Sequence, residues 1–71
     1  MELLTVADVA KILKCNKDYV HKLRNAGLLQ FIKLGSYKCR PETLNEFLKR
    51  YDGMDLTNPY DIKELKTYEE N

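Results

Sequence analysis

Between residues 17 and 25 the chain sets Lys17, Asp18, His21, Lys22, Arg24 and Asn25 around the apolar pair Val20 and Leu23. If this stretch is a helix with Val20 and Leu23 turned to a core, Asp18, His21, Lys22 and Asn25 point away from it. Lys17 then stands at the exposed first turn and Arg24 at the flank. Side chains of these types hydrogen-bond to base edges and phosphates. An Asn amide pairs with adenine, a Lys ammonium reaches guanine or a phosphate, and an Arg guanidinium suits a phosphate. Asp18 fits less well, because phosphates repel a carboxylate. It can accept from a cytosine amino group or pair with Lys22 four residues on, and the second is the simpler role. A face of this kind also serves as plain solvated surface, so its meaning depends on its surroundings.

A second group follows at Lys33, Ser36, Tyr37, Lys38 and Arg40. It lies in two short runs rich in Phe, Ile, Leu and Tyr, residues 29–34 and 37–40, separated by Gly35-Ser36. The pattern predicts a β-hairpin, with Gly35 supplying the turn conformation. A narrow ribbon beside a DNA-reading helix lays such cations along the adjacent backbone or minor groove. The same lysines discourage edge-to-edge pairing, and both roles can hold together. Lys49 and Arg50, further on, suit the negative end of a helix dipole as well as they suit DNA.

These groups need elements to hold them. Val6, Val9, Ala10, Ile12 and Leu13 recur at helical spacing after Thr5, a good N-cap with Asp8 three residues on. Leu4 precedes the cap, where it can staple against Val9. A first helix is expected over residues 6–14. Asn16 caps a second over residues 17–26, with Tyr19, Val20, Leu23 and Ala26 as its apolar stripe and Gly27 as its stop. Two short helices with almost no linker must cross steeply, which is the helix-turn-helix arrangement. Pro41 opens a third helix whose buried face is Leu44, Phe47, Leu48 and Tyr51, with Gly53 past its end. In the remainder, Asn58-Pro59 with Asp61 starts a short helix through Ile62 and Leu65, or the segment is disordered.

Composition narrows the chemistry. The 71 residues permit one compact domain with a stability margin of a few kcal/mol. Residues 1–51 carry ten Lys and Arg against five Asp and Glu, a net of +5, while residues 52–71 carry two Lys against six acids, a net of −4. A basic body favours a polyanion, and duplex DNA is the commonest. Cys15, Cys39 and His21 are too few for a structural zinc site, and no C-x-x-C pair is present. The expectation is buried, inert thiols without a disulfide. One His, no paired carboxylates and no Gly-rich phosphate loop argue against an enzyme, a cofactor or a small-molecule substrate. No apolar run reaches the ~20 residues of a membrane span, and nothing at the start reads as a signal peptide, so a cytoplasmic protein is expected.

The run Leu3-Leu4-Thr5-Val6-Ala7-Asp8-Val9-Ala10-Lys11-Ile12-Leu13, then residues 16–20, then Asn25-Ala26-Gly27-Leu28-Leu29, resembles the excisionase-like, MerR-related winged helix-turn-helix domains. So do the strand-Gly35-strand hairpin and Leu44-Asn45-Glu46-Phe47-Leu48. The resemblance spans about residues 2–51 and fails beyond them. It implies a recognition helix at 17–26 in the major groove and a wing at 33–40 on the flanking minor groove. It also implies a role as a recombination directionality factor or small regulator of a mobile element such as a phage. Ser36-Tyr37 stand where many relatives carry arginines, a departure at the wing tip.

The fold class expected is therefore α+β, mainly α: a winged helix-turn-helix over residues 1–53 with an acidic tail, 54–71. The expected function is sequence-specific binding and bending of double-stranded DNA as an excisionase-type factor. Ile62 and Leu65 would contact a recombinase or a neighbouring copy. The alternatives are a small transcriptional regulator on an inverted repeat and, from another class, a winged-helix protein-interaction module that does not bind DNA.

Overall fold

The computed structural model describes residues 1–65. In chain order they form β1 (Leu4–Thr5), α1 (Val6–Leu13), α2 (Lys17–Asn25), β2 (Ile32–Leu34), β3 (Ser36–Cys39), α3 (Pro41–Arg50), β4 (Met54–Asp55) and β5 (Lys63–Glu64). The α+β architecture with helix-turn-helix, hairpin and third helix is the one expected from the sequence. Its sheet is larger than a hairpin. β1 joins as a third antiparallel strand in the order β1-β3-β2, with Leu4 opposite Cys39 and Thr5 opposite Lys38. Two residues carry no alternation that a sequence pattern can reveal.

Capping fixes both helices of the helix-turn-helix. Thr5 Oγ1 accepts from the Asp8 N–H at 3.0 Å, and the Asp8 carboxylate accepts from the Thr5 N–H at 3.0 Å, a reciprocal capping box. Asn16 Oδ1 accepts from the Tyr19 N–H at 2.8 Å to start α2. α1 stops one residue before the expected Lys14, which takes a left-handed φ of 57° and turns the chain towards α2. Gly27, at φ +80°, ends the second helical segment as expected.

The Thr5 backbone and hydroxyl hold the Asp8 carboxyl below the usual carboxylate range. A carboxyl depressed in the folded state stabilises the fold above its unfolded pKa, and that contribution is lost as pH falls through the lower folded value. Asp8→Asn, which removes the carboxylate and leaves the Thr5 cap in place, is therefore expected to destabilise the fold at neutral pH. The deficit should shrink on acidification, as the wild type loses the same contribution. Urea unfolding at pH 7 and in acid checks this; a deficit independent of pH would remove Asp8 from the cap's energetics.

The core gathers Val9 and Ala10 of α1, Val20 and Leu23 of α2, Leu29, Cys39 of β3, and Leu44 and Phe47 of α3. Leu4, before the first cap, packs against it. Cys39 is buried and Cys15 half-buried, both as free thiols, and burial pushes both up from their ordinary pKa, so thiolate chemistry is suppressed. Two residues expected on buried faces are exposed instead, Ile12 by 51% and Leu48 by 45%. They border one shallow groove with Leu4 and Leu44, between α1 and α3. Each sits at the edge of its helix's apolar stripe, and a core this small covers only the centre of a stripe.

In the hairpin β2 is shorter than its apolar run, and β3 keeps its length but starts one residue earlier. Leu29 enters the core from the loop after α2 instead of extending β2, and Arg40 becomes the N-cap of α3. Ser36, expected in the turn, pairs with Leu34 as the first residue of β3, which leaves Gly35 alone at the turn with φ +81°.

Residues 54–65 depart from the expected short helix or disorder. β4 and β5 pair antiparallel, Met54 with Glu64 and Asp55 with Lys63, and the Leu65 N–H donates to the Gly53 carbonyl. Side chains that compete with helix formation explain this. Asp55 Oδ1 accepts from the Thr57 N–H at 2.9 Å and from its hydroxyl at 2.6 Å. Asn58 Oδ1 accepts from the Tyr60 N–H at 3.0 Å, and the Asn58 carbonyl from the Asp61 N–H at 2.9 Å. These bonds reverse the chain before a helix can begin. Pro59 is buried, Leu56 packs on the core, and the Tyr19 hydroxyl donates to the Leu56 carbonyl. Of the two residues expected to meet a partner, Ile62 is half-buried and Leu65 is 54% exposed. The rest of the acidic tail lies outside the described residues.

Candidate nucleic-acid interface

α2 turns Val20 and Leu23 fully into the core. That rotation leaves Lys17, Asp18, Lys22 and Asn25 exposed, with His21 and Arg24 half-buried on the side facing the hairpin. Asp18 and Lys22 form no ion pair: among the described residues the ion pairs are Arg40–Glu42 and Lys63–Asp61, both at 3.8 Å. Two exposed side chains gain little by pairing in water, so the preferred role for Asp18 is not realised.

Tyr37 brings helix and hairpin together. On β3 it alternates to the same face as buried Cys39, towards α2. The Arg24 guanidinium lies 3.9 Å from its ring centroid and the Lys33 ammonium 4.7 Å. His21 and Phe31 meet the ring edge-on, at centroid distances of 6.3 and 6.4 Å. Arg24 also reaches His21 Nδ1 at 3.3 Å, while its own Nε is buried without a hydrogen-bond partner. Cations over an aromatic face are attracted by its quadrupole, and the attraction strengthens as water is excluded. The ring is thus a joint between α2 and the β2–β3 hairpin.

The remaining wing residues sit around this joint. Lys33 opposes Tyr37 in register. Ser36 and Lys38 alternate to the outer face, where the Lys38 ammonium donates to Ser36 Oγ at 2.7 Å. Arg40 stands apart at the start of α3, exposed and paired with Glu42.

Helix and wing enclose a groove. One side is Lys17 and His21 of α2, the other Lys33, Gly35, Ser36 and Tyr37 of the hairpin, and its end is Thr5, Val6 and Ala7 at the start of α1. Its lining holds two lysines and no carboxylate. Of the residues singled out from the sequence, Lys17, His21, Lys33, Ser36 and Tyr37 meet here. Asp18, Lys22, Asn25, Lys38 and Arg40 do not line it, and Arg24 reaches it through Tyr37. The contribution of Thr5, Val6 and Ala7 was missed. Thr5 was visible as a cap, but nothing local says that this cap lies beside the hairpin.

No helix among the described residues is long and apolar enough to cross a membrane, and no cluster of His, Cys, Asp or Glu there is arranged to hold a metal ion. No curated protein and no solved structure matches the chain. The helix-turn-helix domain family matches residues 3–52, from before α1 to just past α3. Two capped helices in tight succession with an outward polar face are an architecture suited to DNA, and this chain belongs to the helix-turn-helix domain family.

Proposed function

We propose that the protein binds duplex DNA sequence-specifically, with α2 in the major groove and the β2–β3 wing along the adjacent minor groove, and bends it as an excisionase-type factor of a mobile element. The groove between α2 and the wing carries the reading: two lysines and no carboxylate line it, and Tyr37 packs against Arg24 of one wall and Lys33 of the other. A phosphodiester strand passing between major and minor grooves needs such a channel. Lys17 and Lys22 meet phosphates or guanine, Asn25 reads a base, and Asp18 accepts from a cytosine amino group. Lys33, Lys38 and Arg40 face the flanking backbone. Bending a site costs on the order of 1–6 kcal/mol, which favours several copies acting together. Leu65 and Ile62 are the candidate contacts to a neighbouring copy or a recombinase.

Selection of bound duplexes from a random pool tests this. Direct repeats about one helical turn apart support a cooperative factor, and an inverted repeat supports a dimeric transcriptional regulator. No enrichment by the folded protein leaves a protein-interaction module. On the selected site, Lys22→Ala is expected to weaken binding and to lower the salt dependence by about one phosphate's worth. Asn25→Ala is expected instead to relax preference at one base position, by roughly 1–3 kcal/mol. Unchanged salt slope and unchanged base preference in the two variants would move the contact surface off α2.

A further inference from the structure

The turn of the wing itself carries no charged residue. Lys33 lies over the Tyr37 ring, and the Lys38 ammonium is held on the outer face by Ser36, beside the turn. What remains outermost is Leu34-Gly35-Ser36, uncharged throughout. Leu34 is 56% exposed, and a side chain built at Gly35 would meet nothing within 4 Å. A free hairpin tip facing only water favours polar residues.

We propose that Leu34 is a specificity-determining residue that enters the minor groove as an apolar wedge, an inference that rests on the DNA-binding reading above. Gly35 and Ser36 of the tip line the lysine-lined groove and Leu34 directly precedes them, so a strand lying in that groove would bring the next minor groove to the tip. Minor-groove walls are deoxyribose faces that accept an apolar side chain. Their floor is open at A·T pairs and obstructed at G·C pairs by the guanine amino group. Apolar wedges of this kind partly unstack a base step and bend the duplex, most easily at pyrimidine–purine steps. Leu34 would therefore read A·T content without a hydrogen bond, where a cationic tip would read charge.

The test uses the full chain and a duplex recovered from the random pool, with flanking A·T pairs replaced by inosine·cytosine or by G·C. Inosine·cytosine keeps the minor-groove face of A·T and changes the major-groove face. Wild type is expected to tolerate inosine·cytosine and to lose affinity with G·C. Leu34→Ser should bind on the order of tenfold more weakly and discriminate less, with Leu34→Met restoring both. Circular dichroism and melting of each variant confirm that the exposed position leaves the fold intact. Wild-type affinity and discrimination in Leu34→Ser overturn the proposal; if cooperativity on a two-site duplex falls at the same time, the leucine touches a neighbouring copy instead. Sensitivity of wild type to inosine·cytosine also overturns it by moving the flank contact to the major groove. Failure of the folded wild type to bind any duplex overturns the DNA-binding reading itself, and the wedge with it.

Discussion

Ending the chain after Gly53 is expected to lower unfolding free energy by about 2–4 kcal/mol, the cost of uncovering one or two large apolar side chains. The family match stops at residue 52, and a cut there looks harmless on sequence grounds. The packing says otherwise. Met54 and Leu56 line a cleft whose other walls are Cys15 and Tyr19 at the helix-turn-helix, Phe47 of α3 and Tyr51, its C-cap. Burial pushes the Tyr19 hydroxyl up from its ordinary pKa, and that hydroxyl donates to the Leu56 carbonyl. The cut removes the acceptor, these lining side chains and buried Pro59 together. For a domain with a few kcal/mol in hand, that is a large fraction of its stability. Thermal and urea melts of the shortened and full chains measure it. Tyr19→Phe isolates the hydrogen bond and should cost about 1 kcal/mol. A shortened chain as stable as the full one would make residues 54–65 a dispensable appendage, free to be spent wholly on partner contact.

The two halves of the chain differed in how far the sequence could be read. α1 and α2 were legible because their signals are local and redundant: Thr5 and Asn16 cap them, Gly27 stops the second, and the apolar spacing agrees with both. The hairpin was legible in existence, since Gly35 has one natural use there, but not in extent. Leu29 is apolar enough for a strand, and the core claims it from a loop instead. At Asn58-Pro59-Tyr60-Asp61 the same residues that open a helix also build a turn. The choice falls to hydrogen bonds made by Asp55 and Asn58 and to the non-local pairing of β4 with β5. In the site, helical phase alone separated the outward face of α2 from its core face. The role of Tyr37 was beyond reach, because it depends on Arg24 arriving from another element. Register along β3 says only that Tyr37 faces inward. It does not say which cation meets it.

That joint sets the last expectation, the largest for binding. Tyr37→Ala should weaken DNA binding on the order of tenfold to a hundredfold while leaving the core intact, whereas Tyr37→Phe should bind nearly as wild type. The two cations over the ring are each worth roughly 0.5–2 kcal/mol, and the ring face survives in Phe. In Tyr37→Ala, Arg24 and Lys33 lose their common platform, so the wing no longer holds one angle to α2. The protein must then order two elements at the moment of binding, an entropic cost the wild type avoids by being preorganised. A direct contact between the Tyr37 hydroxyl and DNA would give the opposite pattern, with Phe as damaging as Ala. Comparing affinities of the three proteins on one selected duplex therefore separates a residue that touches DNA from one that aims the residues that do. Equal binding by all three would mean that β3 pairing with β1 and β2 already fixes the wing, and that the stacked cations add nothing to recognition.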